Sequence, residues 1–389
     1  MNYEERKALA FSVIEAHHGE AVTISDALAD EPEVSGQEYK SSARIVEYLR
    51  SQGWQVEYPF AGYDTAFKAV RDGGNRHARK IAILTEYDAL DIGHACGHCV
   101  SAATSILAGL SVAALEDELD VDVHIVGTPI EETYGAKCTM VRNGVFDGYD
   151  MAMMIHMYNR NLTKTKLLAK DSYLYKFHGT SAHAAQAPWE GNNALNGITL
   201  MFHAIDMLRQ HLRDDVRIHG VIRDGGMAPN IVPESASAEF YIRALDRDYL
   251  NDVIRKVDDC ARGAAIATQT TMEKIVTGGA YDNLKDNAAG LAALEEAFDE
   301  LGIPLDREYD GIFASSDAGN VSMVCPTFHP TLAIADPSVA LHTAEFEGRV
   351  RSDLAHETIA NGAKLITLQA MKVFGSEETL AAVKADFRK

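Results

Sequence analysis

The chain has 389 residues, of which 47% are hydrophobic and 24% are charged, and its formal net charge is −21 at pH 7. A chain of this length holds two or three domains of ordinary size, which excludes a peptide hormone, a small disulfide scaffold and a lone binding module. The negative charge disfavours nucleic acid and anionic membranes as partners. Because the sequence has no membrane-length apolar run and no visible signal peptide, we expect a soluble, cytoplasmic protein.

The first part of the chain, with one later segment, has the pattern of an α/β domain. Apolar residues recur at helical spacing in three segments, at 6–28, 37–49 and 100–115. Short strand-like segments lie at 54–58, 66–70 and 80–86. Unbroken apolar runs, which are typical of strands covered by helices on both faces, lie at 121–127, 151–157 and 331–335. We therefore expect an α/β/α domain with a central mixed sheet.

A different order of elements occupies the middle of the chain. It is strand, helix, strand, strand, helix, strand, which is the order of a ferredoxin-like unit. The predicted elements lie at 173–179, 192–213, 216–223, 236–244, 247–264 and 270–277. Helical patterns then return at 288–301 and over about 355–387. The sequence therefore predicts a catalytic domain made of residues 1–171 and 279–389, with a smaller domain inserted at 172–278.

The densest group of reactive side chains follows the predicted strand that ends at Glu86, and it contains His94, Cys96, His98 and Cys99. Imidazole and thiolate are ligands that zinc and neighbouring transition metals favour. Cys96 and Cys99 also form a Cys-x-x-Cys motif, which leaves a thiol oxidoreductase open, although that motif normally stands in a thioredoxin-sized fold. A third interpretation is a pair of buried, unreactive cysteines beside a structural histidine.

Three further segments carry candidate ligands. Glu131 and Glu132 follow the strand at 121–127, His156 lies near the end of the run at 151–157, and His342 follows the run at 331–335. Taken singly, paired glutamates open a helix and complement its dipole, and a lone histidine is usually a core residue. All of them nevertheless fall at or just after strand ends, where open α/β sheets build their sites. The sequence therefore predicts a metal site there, with a second carboxylate free to act as a base.

The inserted region carries three polar candidates. His183 is surrounded by small residues, which allow a ligand or a second subunit to approach closely but also suit a tight turn. Asn230 lies in a loop bounded by prolines, and Arg243 lies near the end of a predicted strand. Arginine suits a carboxylate, although an arginine at a strand end is usually solvated.

Taken in chain order, these segments resemble the aminoacylase and carboxypeptidase G family of di-metal metallopeptidases. Within that family they are similar to the amidohydrolase branch of aminobenzoyl-glutamate hydrolase and small dipeptidases. The matching motifs lie at 86–90, 93–98, 131–137, 181–185, 230–233 and 316–322, so the resemblance covers nearly the whole chain. It implies a catalytic α/β domain with an inserted lid domain that also mediates formation of a homodimer.

The resemblance also implies a role for each matched position. The implied ligands of two divalent ions, Zn²⁺ or Mn²⁺, are Cys96, His98, Glu132, His156 and His342. Glu131 is the implied general base and His183 the implied oxyanion donor, which in the family can reach the active site of the partner subunit. Asn230 and Arg243 are the implied substrate contacts. The implied reaction is hydrolysis, by metal-activated water, of the amide bond of a small carboxylate-bearing substrate such as an N-acyl amino acid, a dipeptide or an aminobenzoyl-glutamate-like amide.

Two positions depart from the family pattern. Cys99 stands where the family usually has Asp or Asn, and Asp91 stands where it usually has Pro. Cys99 could retune the choice of metal, add a ligand or make the site oxidisable. Two alternatives to the hydrolase therefore stay open at this point: a non-catalytic binding protein on the same fold, and the Cys-x-x-Cys oxidoreductase.

Overall fold

The computed structural model describes residues 1–389, apart from the side chains of residues 312 and 313. The chain forms two compact units. The larger consists of Met1–Lys166, Leu284–Phe313 and Asp317–Lys389, and the smaller consists of Leu167–Asn283 and Ala314–Ser316. The smaller unit is slightly wider than the predicted insertion at 172–278, because its first long strand begins at Ala169.

The helices are, in chain order, α1 Tyr3–Asp30, α2 Tyr39–Ser51, α3 His98–Ala113, α4 Glu116–Leu119, α5 Ala136–Arg142, α6 Ala194–Arg209, α7 Arg247–Thr268, α8 Ala288–Leu301, α9 Ala318–Ser322, α10 Ala344–Glu347, α11 Asp353–Phe374 and α12 Glu377–Phe387. The strands are β1 Gln55–Glu57, β2 Phe67–Val70, β3 Arg79–Thr85, β4 Val121–Gly127, β5 Met151–Met153, β6 His156–Tyr158, β7 Lys166–Leu167, β8 Ala169–His178, β9 Arg217–Asp224, β10 Ser235–Ala244, β11 Thr271–Val276, β12 Ile312–Ala314, β13 Thr327–Phe328 and β14 Thr331–Ala333.

Short polar side chains define where many of the helices begin. Each accepts a hydrogen bond from a backbone N–H of the first turn, which would otherwise lack a partner inside the helix. These capping residues are Asn2, Asn193, Asp246, Asn287, Thr343, Ser352 and Ser376. Among the described residues, none of the helices combines the length and apolar character needed to cross a membrane.

The larger unit is built on a mixed six-stranded sheet with the order β1-β2-β4-β3-β5-β13. Strands β4, β3, β5 and β13 run parallel, whereas β2 is antiparallel to β4 and β1 is antiparallel to β2. Ile81 of β3 stands opposite Val123 of β4 on one side and Met151 of β5 on the other. The predicted α/β class with a central mixed sheet is confirmed.

Helices cover both faces of this sheet, as the unbroken apolar strands predict. Ile81 and Ile83 point into the main core, which α1, α3 and α11 also line. Ala82 and Leu84 point to the opposite face, into a second core cluster that includes Met140 of α5. All sixteen residues of α3 are buried, so this helix forms the centre of the unit.

One predicted strand is wrong in its extent. The apolar run at 151–157 forms two short strands, because β5 ends at Met153 and β6 begins at His156. The backbone N–H groups of Met154 and His156 donate to Phe328 and Pro330, so the chain leaves the main sheet and follows the segment that leads into β14. His156 therefore begins a separate two-stranded ladder with Thr331 opposite it.

The smaller unit has the predicted order of strands and helices. Its four antiparallel strands are arranged β11-β8-β10-β9, with Phe240 of β10 opposite Tyr173 of β8. Helices α6 and α7 contribute Ile198 and Val257 to a core that also contains Phe177. The six elements β8-α6-β9-β10-α7-β11 thus form the ferredoxin-like unit that the sequence indicates.

Candidate metal centre

A tight turn before α3 places Cys96 and His98. Gly97 between them has φ +77°, a left-handed conformation that disfavours side chains. A Cβ at Gly97 would also lie 2.5 Å from Cβ of Met157, so the turn packs directly on β6. Cys96 is 3% exposed and His98 is fully buried in the first turn of the helix, two residues earlier than the predicted helix at 100–115.

Asp88 fixes the orientation of the His98 ring. The Nδ1 of His98 lies 3.1 Å from Asp88 Oδ1 and 3.0 Å from the Asp88 carbonyl oxygen. Asp88 is itself held by Ser35 Oγ at 2.5 Å and by the backbone N–H of Glu132 at 3.0 Å. A carboxylate bonded to one ring nitrogen is the usual partner of a metal-binding histidine, because it directs the other nitrogen at the ion. The Nε2 of His98 faces Glu86 Oε2 at 3.3 Å and Glu132 Oε1 at 3.9 Å.

A strained turn presents Glu131 and Glu132. Ile130 has φ +65°, which is costly for a β-branched residue, and its N–H donates to Glu38 Oε1 at 3.0 Å. The two glutamates do not open a helix, since α5 begins only at Ala136. The interpretation of the pair as a complement to a helix dipole is therefore wrong, and the carboxylates point to the site instead.

Both glutamates carry raised pKa values. Burial raises the pKa of Glu131 well above its usual range, and the carboxylates of Glu86, Glu132 and Asp317 raise it further. Burial also raises the pKa of Glu132, whose carboxylate accepts a hydrogen bond from Cys96 Sγ. So many buried acidic groups in one place repel one another unless positive charge is present.

The donor set fits a cation. Among the residues that the structure describes, three groups of side chains have ligand atoms within 4.8 Å of one another. They are Glu86 with His98 and His156, Cys96 with His98 and Glu132, and Glu86 with Glu131 and Asp317. Glu86 Oε2 and His98 Nε2 are buried without a hydrogen-bond partner, which is costly for polar atoms unless a cation binds them. Thiolate, imidazole and carboxylate together suit zinc and its neighbours.

A buried lysine neutralises one side of this cluster. Lys137 Nζ lies 2.7 Å from Glu86 Oε1 and 2.5 Å from Asp317 Oδ1, and all three side chains are fully buried. Burial opposes the charge of Glu86, but Lys137 and His98 overcome it and lower the pKa of Glu86 to about 2. Lys137 thus supplies one positive charge to the group of Glu86, Glu131 and Asp317.

The two remaining predicted ligands differ in position. The ring of His156 lies 5.4 Å from that of His98, and its Nδ1–H donates to the Met157 carbonyl at 2.7 Å, which directs Nε2 away from the backbone. His342 lies in the same unit with φ +61°, and its N–H donates to the carbonyl of Ala95. Its side chain is exposed and is absent from the three ligand groups found among the described residues.

Cys99 points away from the site. It is fully buried in the main core and belongs to none of the ligand groups found in the part of the chain that the structure describes. Burial raises the pKa of Cys99 to about 12 and that of Cys96 well above its usual range. A reactive dithiol needs the opposite shift, because the thiolate is the nucleophile.

In the smaller unit, two loops bring His183 and Asn230 together. Ala184 donates its N–H to the carbonyl of Asn230, and His183 forms a bridge with Ile231. His183 Nδ1 accepts hydrogen bonds from the backbone N–H of Ala185 at 3.3 Å and of Gln186 at 3.2 Å. Its proton therefore lies on Nε2 of an exposed ring, where it can be donated to a ligand.

Arg243 is the other predicted contact in the smaller unit. Its Nη1 donates to Ser315 Oγ at 3.1 Å, whereas its Nε is buried without a hydrogen-bond partner. Burial lowers the pKa of Arg243, which reflects a guanidinium with little solvent around it. A part-buried guanidinium whose Nε has no hydrogen-bond partner is suited to an incoming carboxylate.

Comparison with known proteins identifies the chain. Residues 171–268 match the model of the M20 peptidase dimerisation domain. Xaa-Arg dipeptidase of Mus musculus is 31% identical over 94% of this chain and 88% of its own length. The chain belongs to the M20 peptidase family. The family resemblance indicated by the sequence motifs is thus confirmed.

Other M20 relatives agree. One subunit of the p-aminobenzoyl-glutamate hydrolase of Escherichia coli (strain K12) is 31% identical over 67% of this chain and 58% of its own length. The Bacillus subtilis YXEP protein, a dinuclear metal binding peptidase of the M20 family, shares the fold with TM-score 0.71 and 18% identity over 93% of this chain and 99% of its own. The chain is a hydrolase of amide bonds, and neither the binding-protein nor the oxidoreductase interpretation is favoured.

The sequence reasoning missed several site residues. Glu86, Asp88, Lys137 and Asp317 lie inside the motifs that carried the resemblance, but they received no role there. Glu86 and Asp88 directly follow the end of β3, which is the signal that could have found them. Lys137 and Asp317 lie far apart in the chain and meet only in the fold.

Proposed function

We propose that this M20 hydrolase binds two divalent ions at the candidate metal centre and cleaves the amide bond of a small substrate with a free carboxylate. The observation that carries the proposal is the buried convergence of Cys96, His98 and Glu132, with ligand atoms within 4.8 Å, beside Glu131. His156 and His342 complete the proposed ligand set. Zn²⁺ and Mn²⁺ both fit the carboxylates and imidazoles, and the thiolate of Cys96 favours Zn²⁺.

Glu131 is the proposed general base. When bound, the ions polarise the amide carbonyl and make water more acidic. The Glu131 carboxylate accepts the proton of the attacking water and returns it to the nitrogen of the leaving amine. Burial and neighbouring carboxylates raise the pKa of Glu131. Divalent ions held by the proposed ligands would supply positive charge that keeps this carboxylate ionised and able to accept a proton.

The smaller unit supplies the proposed contacts to the substrate. His183, whose proton lies on Nε2, donates a hydrogen bond to the oxyanion of the tetrahedral intermediate. Arg243, with its unused buried Nε, binds the substrate carboxylate, and Asn230 is a further polar contact. Dipeptides and aminobenzoyl-glutamate, which the relatives' names give as their substrates, both bear such a carboxylate.

Two variants test the catalytic roles. Glu131→Gln should retain its bound metal while kcat falls by about 10²–10⁴-fold, since a general base contributes that much. Near-normal turnover would remove Glu131 from this role. His183→Ala should lower kcat about 10²–10³-fold at unchanged metal content, as the loss of one oxyanion donor does. Equal losses of metal and turnover would contradict the oxyanion role.

The carboxylate contact is tested with matched substrates and a matched arginine. We compare hydrolysis of dipeptides with free and with amidated C-termini. Arg243→Met should abolish the preference for the free carboxylate, mainly through KM. Arg217→Met is the control, because Arg217 stands opposite Arg243 on β9 but is exposed. Retained preference in Arg243→Met, or equal loss in both variants, would exclude the proposed clamp.

We also propose that residues 167–283 form the lid and dimerisation domain of a homodimer. β9 is an edge strand, and its side chains Val221 and Ile222 are 50% and 45% exposed. Exposed apolar edges tend to pair with another chain. Ile222→Lys should give a monomer by light scattering, whereas Ile275→Lys, on the opposite edge strand β11, should leave a dimer. A dimeric Ile222→Lys protein would exclude β9 as the interface.

The expected cytoplasmic location stays a prediction.

A further inference from the structure

Glu86 occupies an unusual place beside the predicted ligands. It is fully buried and its two oxygens have different surroundings. Oε1 accepts a hydrogen bond from Lys137 Nζ at 2.7 Å. Oε2 faces His98 Nε2 at 3.3 Å, and both of these atoms are buried without a hydrogen-bond partner.

The orientation of the His98 ring makes this contact informative. Asp88 accepts the hydrogen bond from Nδ1, which leaves Nε2 to face Glu86. Nε2 and Oε2 lie 3.3 Å apart in the interior, and a cation between them would satisfy both atoms. Two ligands of one Zn²⁺, each about 2.0–2.2 Å from the metal, lie about this far apart in a tetrahedral site.

His156 completes the same group. Its ligand atom lies within 4.8 Å of those of Glu86 and His98, and its ring stands at 88° to that of His98. Its Nδ1 is committed to the Met157 carbonyl, as the Nδ1 of His98 is to Asp88. Two histidines with fixed tautomers and one carboxylate oxygen thus converge in a buried space.

We propose that Glu86 is a direct metal ligand, which binds through Oε2 the same ion as His98 and His156. The inference rests on the proposed function and extends its ligand set by one carboxylate. Lys137 holds Oε1 and thereby aims Oε2, and Asp317 holds Lys137. Glu86 then adds a carboxylate oxygen to the thiolate of Cys96 and the carboxylate of Glu132. The combined negative charge of these ligands favours binding of a divalent cation.

The test is a titration of the metal-free full-length protein with Co²⁺, whose d–d absorption reports the number and kind of ligands, together with the Zn²⁺ content after dialysis. We compare the wild type with Glu86→Gln, which removes the charge at nearly constant volume. Wild type should bind two ions. In Glu86→Gln one ion should bind at least about 10-fold more weakly, and its d–d band should change.

Asp317→Asn is the matched control. Both oxygens of Asp317 are used by Lys137, one by its Nζ and one by its backbone N–H, so this variant disturbs the lysine without touching a ligand. It should keep both ions and the wild-type cobalt spectrum. Glu86→Asp keeps the charge but withdraws the oxygen by one methylene, and it should weaken the same ion if Glu86→Gln does not fold.

The outcomes separate the two proposals. Unchanged affinity and spectrum in Glu86→Gln, with two ions in the wild type, would overturn the role of Glu86 and leave the proposed function intact. Loss of the ion in Asp317→Asn but not in Glu86→Gln would also overturn it, since the charge balance around Lys137 and not a bond to Glu86 would then hold the ion. A wild type that binds neither Co²⁺ nor Zn²⁺ would overturn both proposals.

Discussion

Replacing Lys137 by Met would test the charge balance under the metal centre. Methionine fills nearly the same volume, so the main change is the loss of one buried positive charge. Glu86 and Asp317 then remain fully buried without the ammonium that lies 2.7 Å and 2.5 Å from their oxygens. Neither carboxylate can reach water, because the exposed fraction of each side chain is 0%.

The expected cost follows from burial. Removing one partner of a buried ion pair destabilises a protein by about 3–5 kcal/mol, because it leaves an uncompensated charge. Lys164 gives a matched comparison, since it pairs with Asp286 at 2.6 Å but the two side chains are 42% and 61% exposed. Lys164→Met should therefore cost only about 0–1 kcal/mol. The N–O distances of the two ion pairs are alike, and the pairs differ in their exposure to solvent.

Urea unfolding of the metal-free protein, followed by tryptophan fluorescence, measures the effect. The sequence has two tryptophans. Trp54 is 4% exposed in the core of the larger unit, whereas Trp189 is 79% exposed in the smaller unit. The signal change therefore reports mainly on the larger unit. With a slope of about 3 kcal/mol per M, Lys137→Met should lower the midpoint by about 1 M or more.

A double variant adds a second check. Lys137→Met with Asp317→Asn removes charge from both partners and should recover part of the loss, because replacing a whole buried pair is far cheaper than breaking it. If Lys137→Met were no more destabilising than Lys164→Met, the reasoning from burial would be refuted. The same would hold if the double variant were less stable than Lys137→Met.

Two further predictions concern stability. Burial lowers the pKa of His124 from 6.5 to about 4, so the unfolded chain binds a proton first as the pH falls through this window, and stability drops by up to about 3 kcal/mol. His124→Gln, which can still form a hydrogen bond with Tyr149, should make the free energy of unfolding in urea fall less steeply as the pH is lowered. An unchanged dependence on pH would contradict this. Gly97→Ala should cost more than the roughly 1–2 kcal/mol of left-handed strain, because its Cβ also meets Met157. Gly53→Ala, at φ +82° with open space around it, should show the strain alone, and equal losses would exclude the clash.

Much of the fold was predictable because local patterns and burial agree. The strand-like segment at 80–86 forms β3, with residues 81 and 83 on one face and residues 82 and 84 on the other, and the apolar run at 121–127 forms β4. The run at 151–157 was predicted wrongly, since hydrophobicity is the same on both sides of the break. Only the pairing of His156 with Thr331 decides that the chain leaves the main sheet there.

The sequence pointed to the candidate site through residues of ligand type. It did not reveal the residues that hold those side chains in place. Cys96, His98 and Glu132 stood out because thiolate, imidazole and carboxylate groups that gather at strand ends indicate a metal site. Asp88 and Glu38 were missed, since a carboxylate that orients a ring or holds a strained turn has no signature in sequence. Their roles depend on distances of about 3 Å between residues far apart in the chain.

The sequence by itself determined the fold class, the order of elements in the smaller unit and the residue types that M20 chemistry requires, because these follow from local periodicity and motif. The tertiary structure decided the charge environment of each carboxylate in the site. Glu86, Glu131 and Glu132 are the same residue type, but Lys137 neutralises the first, burial among other carboxylates raises the pKa of the second, and the third accepts the thiol of Cys96. Charge interactions depend on distance and on exclusion of water, and only the folded chain sets both.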